Sequence, residues 1–252
     1  MDFTGKVVIV TGASSGIGAA SAKLFAAHGA LVTIVGRNET RLKDVANACE
    51  SYRGNAPLCI QVDLVHDGSC ETVVSRTVEK FQKIDVLVNC AGKLLVTSLF
   101  ENSMQNFDDL IALNLRVPYK LTQLCVPYLK LTKGNVVNVF GSPSRDRPGF
   151  LLSAILKSAL ERFTTSGGGE LSCEGVRMNG VRPGLTRTNI LANFNVDAEY
   201  MDEVYKEIAQ ALQANTINEP EDVARLILFV ASDQNPNLNG ACICLNGGAS
   251  AS

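Results

Sequence analysis

Apolar residues in this chain come in short unbroken runs. Val7, Val8, Ile9 and Val10 stop at Thr11 and give way to Gly12, Gly16 and Gly18, after which residues 19–27 carry helical spacing. That is a buried strand, a tight turn and a helix start. The pattern then repeats. Residues 29–36 form a second apolar run ending at Arg37 and Asn38. Residues 40–52 read as a helix, closed by Arg53, Gly54 and Asn55. A third strand covers residues 56–62 up to Asp63 and Leu64. An amphipathic helix over 73–81 leads to a fourth strand, 84–89, that runs into Cys90, Ala91 and Gly92. Strands apolar on both faces suit a parallel sheet covered by helices on each side. Their alternation with helices at this spacing predicts an α/β, doubly wound fold.

The second half continues the theme. Residues 102–131 read as one long helix with Asn114 inside it, and Pro118 and Pro127 are expected to bend or interrupt it. A fifth strand over 135–140 precedes a helix over 150–165, and a sixth over 176–181 precedes Arg182, Pro183 and Gly184. Pro220 opens a helix over 221–232, and a seventh strand, 240–245, ends at Asn246, Gly247 and Gly248. Ser166 is followed by Gly167, Gly168 and Gly169. Each interior glycine costs roughly 0.8–1 kcal/mol relative to alanine, so that helix is expected to fray or stop early.

Length and charge narrow the possibilities. At 252 residues the chain fits one domain, residues 1–252, and no linker divides it. A net charge of -2, from 23 basic and 25 acidic residues, gives no general attraction to nucleic acid or membrane. Neither a membrane span nor a signal-peptide pattern is seen, so a cytoplasmic location is expected. The eight cysteines lack C-x-x-C spacing and read as reduced core thiols, with Cys242 and Cys244 packing from one face of the last strand. Only His28 and His66 are present, which argues against a histidine-ligated metal or a Ser-His-Asp triad. His28 suits a helix end.

The glycine turn carries chemistry as well as shape. Side chains there would hold backbone amides away from a phosphate, and the helix N-terminus presents its positive dipole end. A merely tight turn is the plainer alternative. At the end of the second strand, an acidic side chain would accept from a ribose hydroxyl, whereas a guanidinium pairs with a 2′-phosphate. Arg37 therefore favours NADP(H) over NAD(H). A solvated arginine at a strand end is the competing reading.

Thr11, Gly12, Gly16 and Gly18, with Asp63, Asn89, Ala91, Gly92, Asn114, Lys157, Pro183, Gly184 and Thr188, resemble the short-chain dehydrogenase/reductase family, 3-oxoacyl-reductase-like members included, along nearly the whole chain. The resemblance implies a single-domain Rossmann fold, a seven-stranded parallel sheet with helices on both faces. It implies that Gly12, Ser14, Ser15, Gly16, Ile17 and Gly18 surround the diphosphate. Arg37 and Asn38 then lie by the adenosine ribose, Asp63 bonds the adenine with Leu64 beside it, and Asn89, Ala91 and Gly92 lie along the cofactor. Cys90 replaces a second asparagine of the family pattern. Asn114 bends its helix and holds a water. Lys157 binds the nicotinamide ribose, and Pro183, Gly184 and Thr186 or Thr188 meet the nicotinamide or the diphosphate. Residues 188–215 form a lid over the substrate, and the helix after the fifth strand pairs subunits in a dimer or tetramer.

The active-site pattern is broken in two places. The family sets a tyrosine four residues before the lysine, on the same helical face. Here Ser153 holds that position before Lys157. The family's serine pair after the fifth strand falls on Phe140 and Gly141, with Ser142 one residue later and Ser144 a weaker candidate. Tyr119 and Tyr128 read as packing residues, and Tyr200 and Tyr205 fall in the lid. Asn114, Ser142, Ser153 and Lys157 are thus the candidate catalytic set. Three functions compete: slow hydride transfer with a small carbonyl or alcohol substrate, a silent NADP(H)-binding sensor or partner subunit, and, least supported, a hydrolase built on Ser153 and Lys157.

Overall fold

The computed structural model describes residues 1–100, 103–141, 149–190, 205 and 217–248. Seven parallel strands form one sheet in the order β3-β2-β1-β4-β5-β6-β7. They are β1 (Val7–Thr11), β2 (Leu31–Gly36), β3 (Leu58–Gln61), β4 (Val86–Asn89), β5 (Asn135–Val139), β6 (Arg177–Pro183) and β7 (Cys242–Leu245). The helices are α1 (Gly16–Ala27), α2 (Glu39–Arg53), α3 (Ser69–Phe81), α4 (Gln105–Ile111), α5 (Val117–Thr132), α6 (Leu151–Leu171) and α7 (Pro220–Ala231). The chain is a single-domain, Rossmann-like fold.

The unbroken apolar runs are explained by two cores. β1 is buried at every position: Val8 and Val10 join Phe25, Val223 and Ile227 on one face, while Ile9 joins Val73, Leu121 and Leu129 on the other. Because strand order reverses between β1 and β4, the connections leaving their carboxyl ends run to opposite sides and leave the crevice in which doubly wound sheets bind ligands.

Two expectations about helices need correction. First, α6 does not stop at the glycines but runs through them to Leu171. A Cβ on Gly167 would sit 2.8 Å from Met178 Sδ, and one on Gly168 would sit 2.8 Å from both Asn239 Oδ1 and Gly240 N. The bare backbone lets α6 lie close on β6 and on the turn before β7, and this packing outweighs the propensity loss. Second, Pro127 does not interrupt the long helix, and the break falls just before Pro118. A π-helical turn, Ala112–Arg116, separates α4 from α5. Pro118 lies in the first turn of α5, and Pro127 lies within that helix, which continues to Thr132.

Among the described residues no helix is long and apolar enough to cross a membrane. All eight cysteines are free, but Cys173 and Cys244 are exposed, so the expected packing of Cys244 beside Cys242 does not occur. His28 serves structure: its Nδ1 lies 2.6 Å from the Met1 carbonyl oxygen.

Candidate active site

The glycine turn is built for close approach. Gly12 and Gly16 have φ of +67° and +53°, where a side chain is strained. A Cβ on Gly12 would lie 2.9 Å from Ala91 Cα, and one on Gly18 would run into the Gly12 carbonyl. Thr11 Oγ1 accepts from the amides of Cys90 and Ala91, both at 3.0 Å, tying the ends of β1 and β4 together. Ser15 stands at the N-cap of α1 without a side-chain capping bond. The first-turn amides of Gly16, Ile17 and Gly18 are therefore donors that no cap side chain answers, at the positive end of the helix. Beside them a cleft of about 280 Å³ is lined by Ser14, Ser15, Gly16, Lys23 and Arg41.

Around the ends of β2 and β3, Arg37 Nη1 lies 3.5 Å from Asp63 Oδ2, and the arginine side chain is largely exposed. Asn38 caps α2 by accepting from the Arg41 amide at 2.9 Å. Leu64 is buried below them.

At the mouth of β4, Asn89 Nδ2 donates to Asn138 Oδ1 at 2.9 Å, and Asn138 Nδ2 donates to Thr164 Oγ1 at 3.0 Å. This buried chain links β4 and β5 to α6. Asn89 Oδ1 is buried and has no hydrogen-bond partner among the described residues. Burial pushes the Cys90 thiol up to about 12. Asn114 lies in the π-helical turn, which is where its helix departs from regular geometry. Its carboxamide spans the Lys93 backbone, Oδ1 accepting from the amide at 2.9 Å and Nδ2 donating to the carbonyl at 2.8 Å. A Cβ on Gly92 would stand 3.4 Å from Asn114 Oδ1.

Ser153 and Lys157 lie one turn apart on α6, and Ser153 is buried. Burial, and secondarily the Arg182 guanidinium, hold the Lys157 ammonium below the ordinary lysine value. Arg182 Nη1 itself donates to Glu161 Oε1 at 2.8 Å. A Cβ on Gly141 would lie 3.5 Å from Lys157 Nζ and 3.7 Å from the Pro183 carbonyl oxygen. The ends of β5 and β6 and the first turns of α6 therefore converge on the lysine. Ser142 and Ser144 lie outside the described residues, as do Tyr200 and most of the expected lid.

Beyond β6, Gly184 N donates to the Leu245 carbonyl at 2.8 Å, and Thr186 Oγ1 donates to the Gly184 carbonyl at 3.0 Å. Thr188 closes on the glycine turn: a Cβ on Gly16 would meet its Cγ2 at 3.0 Å. Tyr205 is buried against this segment, its hydroxyl donating to the Thr188 carbonyl at 3.2 Å and accepting from the Thr188 amide at 3.4 Å. The Asn138–Thr164 link and the Tyr205 contact are the parts that sequence reasoning missed. Two asparagines in an otherwise apolar fifth strand were the available signal, because buried carboxamides need partners.

A doubly wound sheet with a glycine turn at its reversal point is the architecture of a Rossmann-like, nucleotide-binding fold. The family model described as enoyl-(acyl carrier protein) reductase matches residues 12–250. An uncharacterized oxidoreductase of Thermotoga maritima is 32% identical over 258 residues, covering 100% of both chains. The 3-oxoacyl-[acyl-carrier-protein] reductase FabG of the same organism is 32% identical, over 98% of this chain and 99% of its own. A Caenorhabditis elegans short-chain dehydrogenase/reductase of unknown function, solved with cofactor, superposes with a TM-score of 0.93 at 31% identity, over 99% of this chain and 96% of that one. The chain belongs to the short-chain dehydrogenase/reductase family, whose members use a nicotinamide cofactor. Its uncapped α1 amides and the orphaned Asn89 oxygen fit such a group.

Proposed function

We propose that the protein is an NADP(H)-dependent oxidoreductase that interconverts a ketone and a secondary alcohol slowly. The observation that carries this reading is the pairing of an uncapped glycine turn with Lys157, on a helix whose tyrosine position holds Ser153. A bound nicotinamide supplies the hydride. Gly12, Ser14, Ser15, Gly16, Ile17 and Gly18 hold the diphosphate, and Arg37 takes a 2′-phosphate with Asn38 beside it. Asp63 and Leu64 bound the adenine, while Asn89, Ala91 and Gly92 line the cofactor's path. Pro183, Gly184, Thr186 and Thr188 hold the carboxamide end, and Asn114 fixes the loop after β4. Meso-2,3-butanediol dehydrogenase of Serratia marcescens, 31% identical over 100% of this chain, is among the relatives and agrees with a small carbonyl or alcohol substrate. A cytoplasmic homo-oligomer pairing through α6 completes the proposal, with Ser142 as the second hydroxyl of the site.

The exchange of phenol for alcohol also favours a second reading, a silent NADP(H)-binding sensor or partner subunit. One experiment separates the two: titrate NADPH and NADH by fluorescence, then assay a ketone and alcohol panel with the wild type, Ser153→Tyr and Lys157→Ala. The enzyme reading expects wild-type turnover above the Lys157→Ala control, raised by Ser153→Tyr. Binding without turnover supports the silent reading, and failure to bind any nicotinamide nucleotide ends both.

A further inference from the structure

Four tyrosines are described, and each has a place of its own. Tyr205 is bonded to the Thr188 backbone. Tyr119 faces the Phe163 ring at 5.3 Å, Tyr128 packs into the core with Leu129 and Val136, and Tyr52 is exposed on α2. Among the described residues, then, no phenol is placed to protonate a reduced carbonyl beside Lys157. Ser153 is a poor source, since an alkyl alcohol is a far weaker acid than a phenol and its side chain ends several atoms short. Lys157 is a donor-only cation, one helical turn of about 5.4 Å along the same face, where the ends of β5 and β6 converge.

We propose that Lys157 is itself the proton donor to the substrate oxygen, acting through a water held against the Ser153 hydroxyl. The inference rests on the oxidoreductase reading. As hydride from the reduced nicotinamide bonds to the carbonyl carbon, the C=O π pair moves to oxygen. That oxygen takes a proton from the water, the water takes one from the ammonium, and the neutral amine regains its proton from solvent. A water needs at least two polar partners to be held, and Ser153 and Lys157 supply them. Burial makes the ammonium a stronger acid than a solvated lysine, and Arg182, paired with Glu161, adds to this.

The test joins two independent readouts. Competitive trace acetylation followed by mass spectrometry gives the titration midpoint of each lysine in the NADPH-saturated protein without carbonyl substrate. The reductase pH profile at saturating NADPH gives kcat/KM for the carbonyl, which reports that same form. Lys157 is expected to titrate below exposed lysines such as Lys43, and kcat/KM to fall about tenfold per pH unit above that same midpoint. Lys157→Arg keeps the charge but does not titrate in this range. It is expected to hold NADPH within about fivefold while losing roughly 100-fold or more in kcat, within the usual range for general acid catalysis. In Ser153→Tyr the profile should no longer follow the lysine midpoint. A flat wild-type profile or an active Lys157→Arg overturns the proposal and leaves the oxidoreductase reading standing. NADPH binding without turnover, or loss of NADPH binding by the wild type, overturns the oxidoreductase reading and the proposal with it. The wild-type comparison needs no variant, so a misfolded Lys157→Arg leaves the test intact.

Discussion

Arg37 and Asp63 face each other across the ends of β2 and β3, guanidinium to carboxylate at 3.5 Å. The two residues assigned to opposite parts of one adenosine moiety are thus partners of each other. The pair is substantially exposed, so its own contribution to stability is small. Its effect is to draw the guanidinium toward the end of β3, beside the place proposed for the 2′-phosphate.

Arg37→Ala is therefore expected to weaken NADPH binding about tenfold, or about 1.4 kcal/mol, while leaving NADH binding nearly unchanged. The value sits at the low end for charge-assisted bonds because the site is solvated. Fluorescence titration with both nucleotides checks it. Equal changes for the two would show that Arg37 does not read the 2′-phosphate.

The glycine triplet in α6 gives a pair of opposite expectations. An added Cβ at Gly168 meets the Gly240 backbone at 2.8 Å, whereas at Gly169 nothing lies within 4 Å. Gly168→Ala should destabilise by about 1–3 kcal/mol through overpacking. Gly169→Ala should stabilise by roughly 0.5–1 kcal/mol through reduced chain entropy. Urea midpoints of the two variants, compared with the wild type, decide this. Equal shifts would mean that α6 does not lie as close to β6 as described.

What was legible in the chain follows from where the information lies. Apolar runs declare buried parallel strands locally, so all seven were found, with ends off by a residue or two: the third was expected over 56–62 and spans Leu58–Gln61. The glycine turn was legible because its glycines answer to local backbone needs, φ at Gly12 and Gly16. The course of α6 was not, because the room for Gly168 is set by Gly240, far along the chain. A bend at Asn114 was expected from the resemblance, but its π-helical form was not, because Asn114 is held by the Lys93 backbone and not by a neighbour in its own helix. Lys157 could be placed by the family pattern around it, but its burial depends on the meeting of three elements.

Among the described residues Tyr205 is the phenol that meets the Thr186–Thr188 segment, and its contacts argue against a role as replacement acid. Its hydroxyl bonds the Thr188 backbone, and the Arg187 guanidinium lies 5.0 Å from the centre of its ring. Tyr205→Phe keeps the ring and removes only the hydroxyl, at a cost of about 0.5–1.5 kcal/mol, the range of one good neutral hydrogen bond, because both of its bonds to the Thr188 backbone are long. If the Thr186–Thr188 segment holds the carboxamide end of the cofactor, the loss should appear as a weakening of NADPH binding, roughly 2–12-fold. The kcat of a Ser153→Tyr background should be unchanged. If Tyr205 instead supplied the proton, the wild type would lose about 100-fold or more in kcat on the same change, with binding untouched. Measuring Kd and kcat separately for Tyr205→Phe, in the wild type and in Ser153→Tyr, distinguishes a residue that positions the loop from one that takes part in the chemistry.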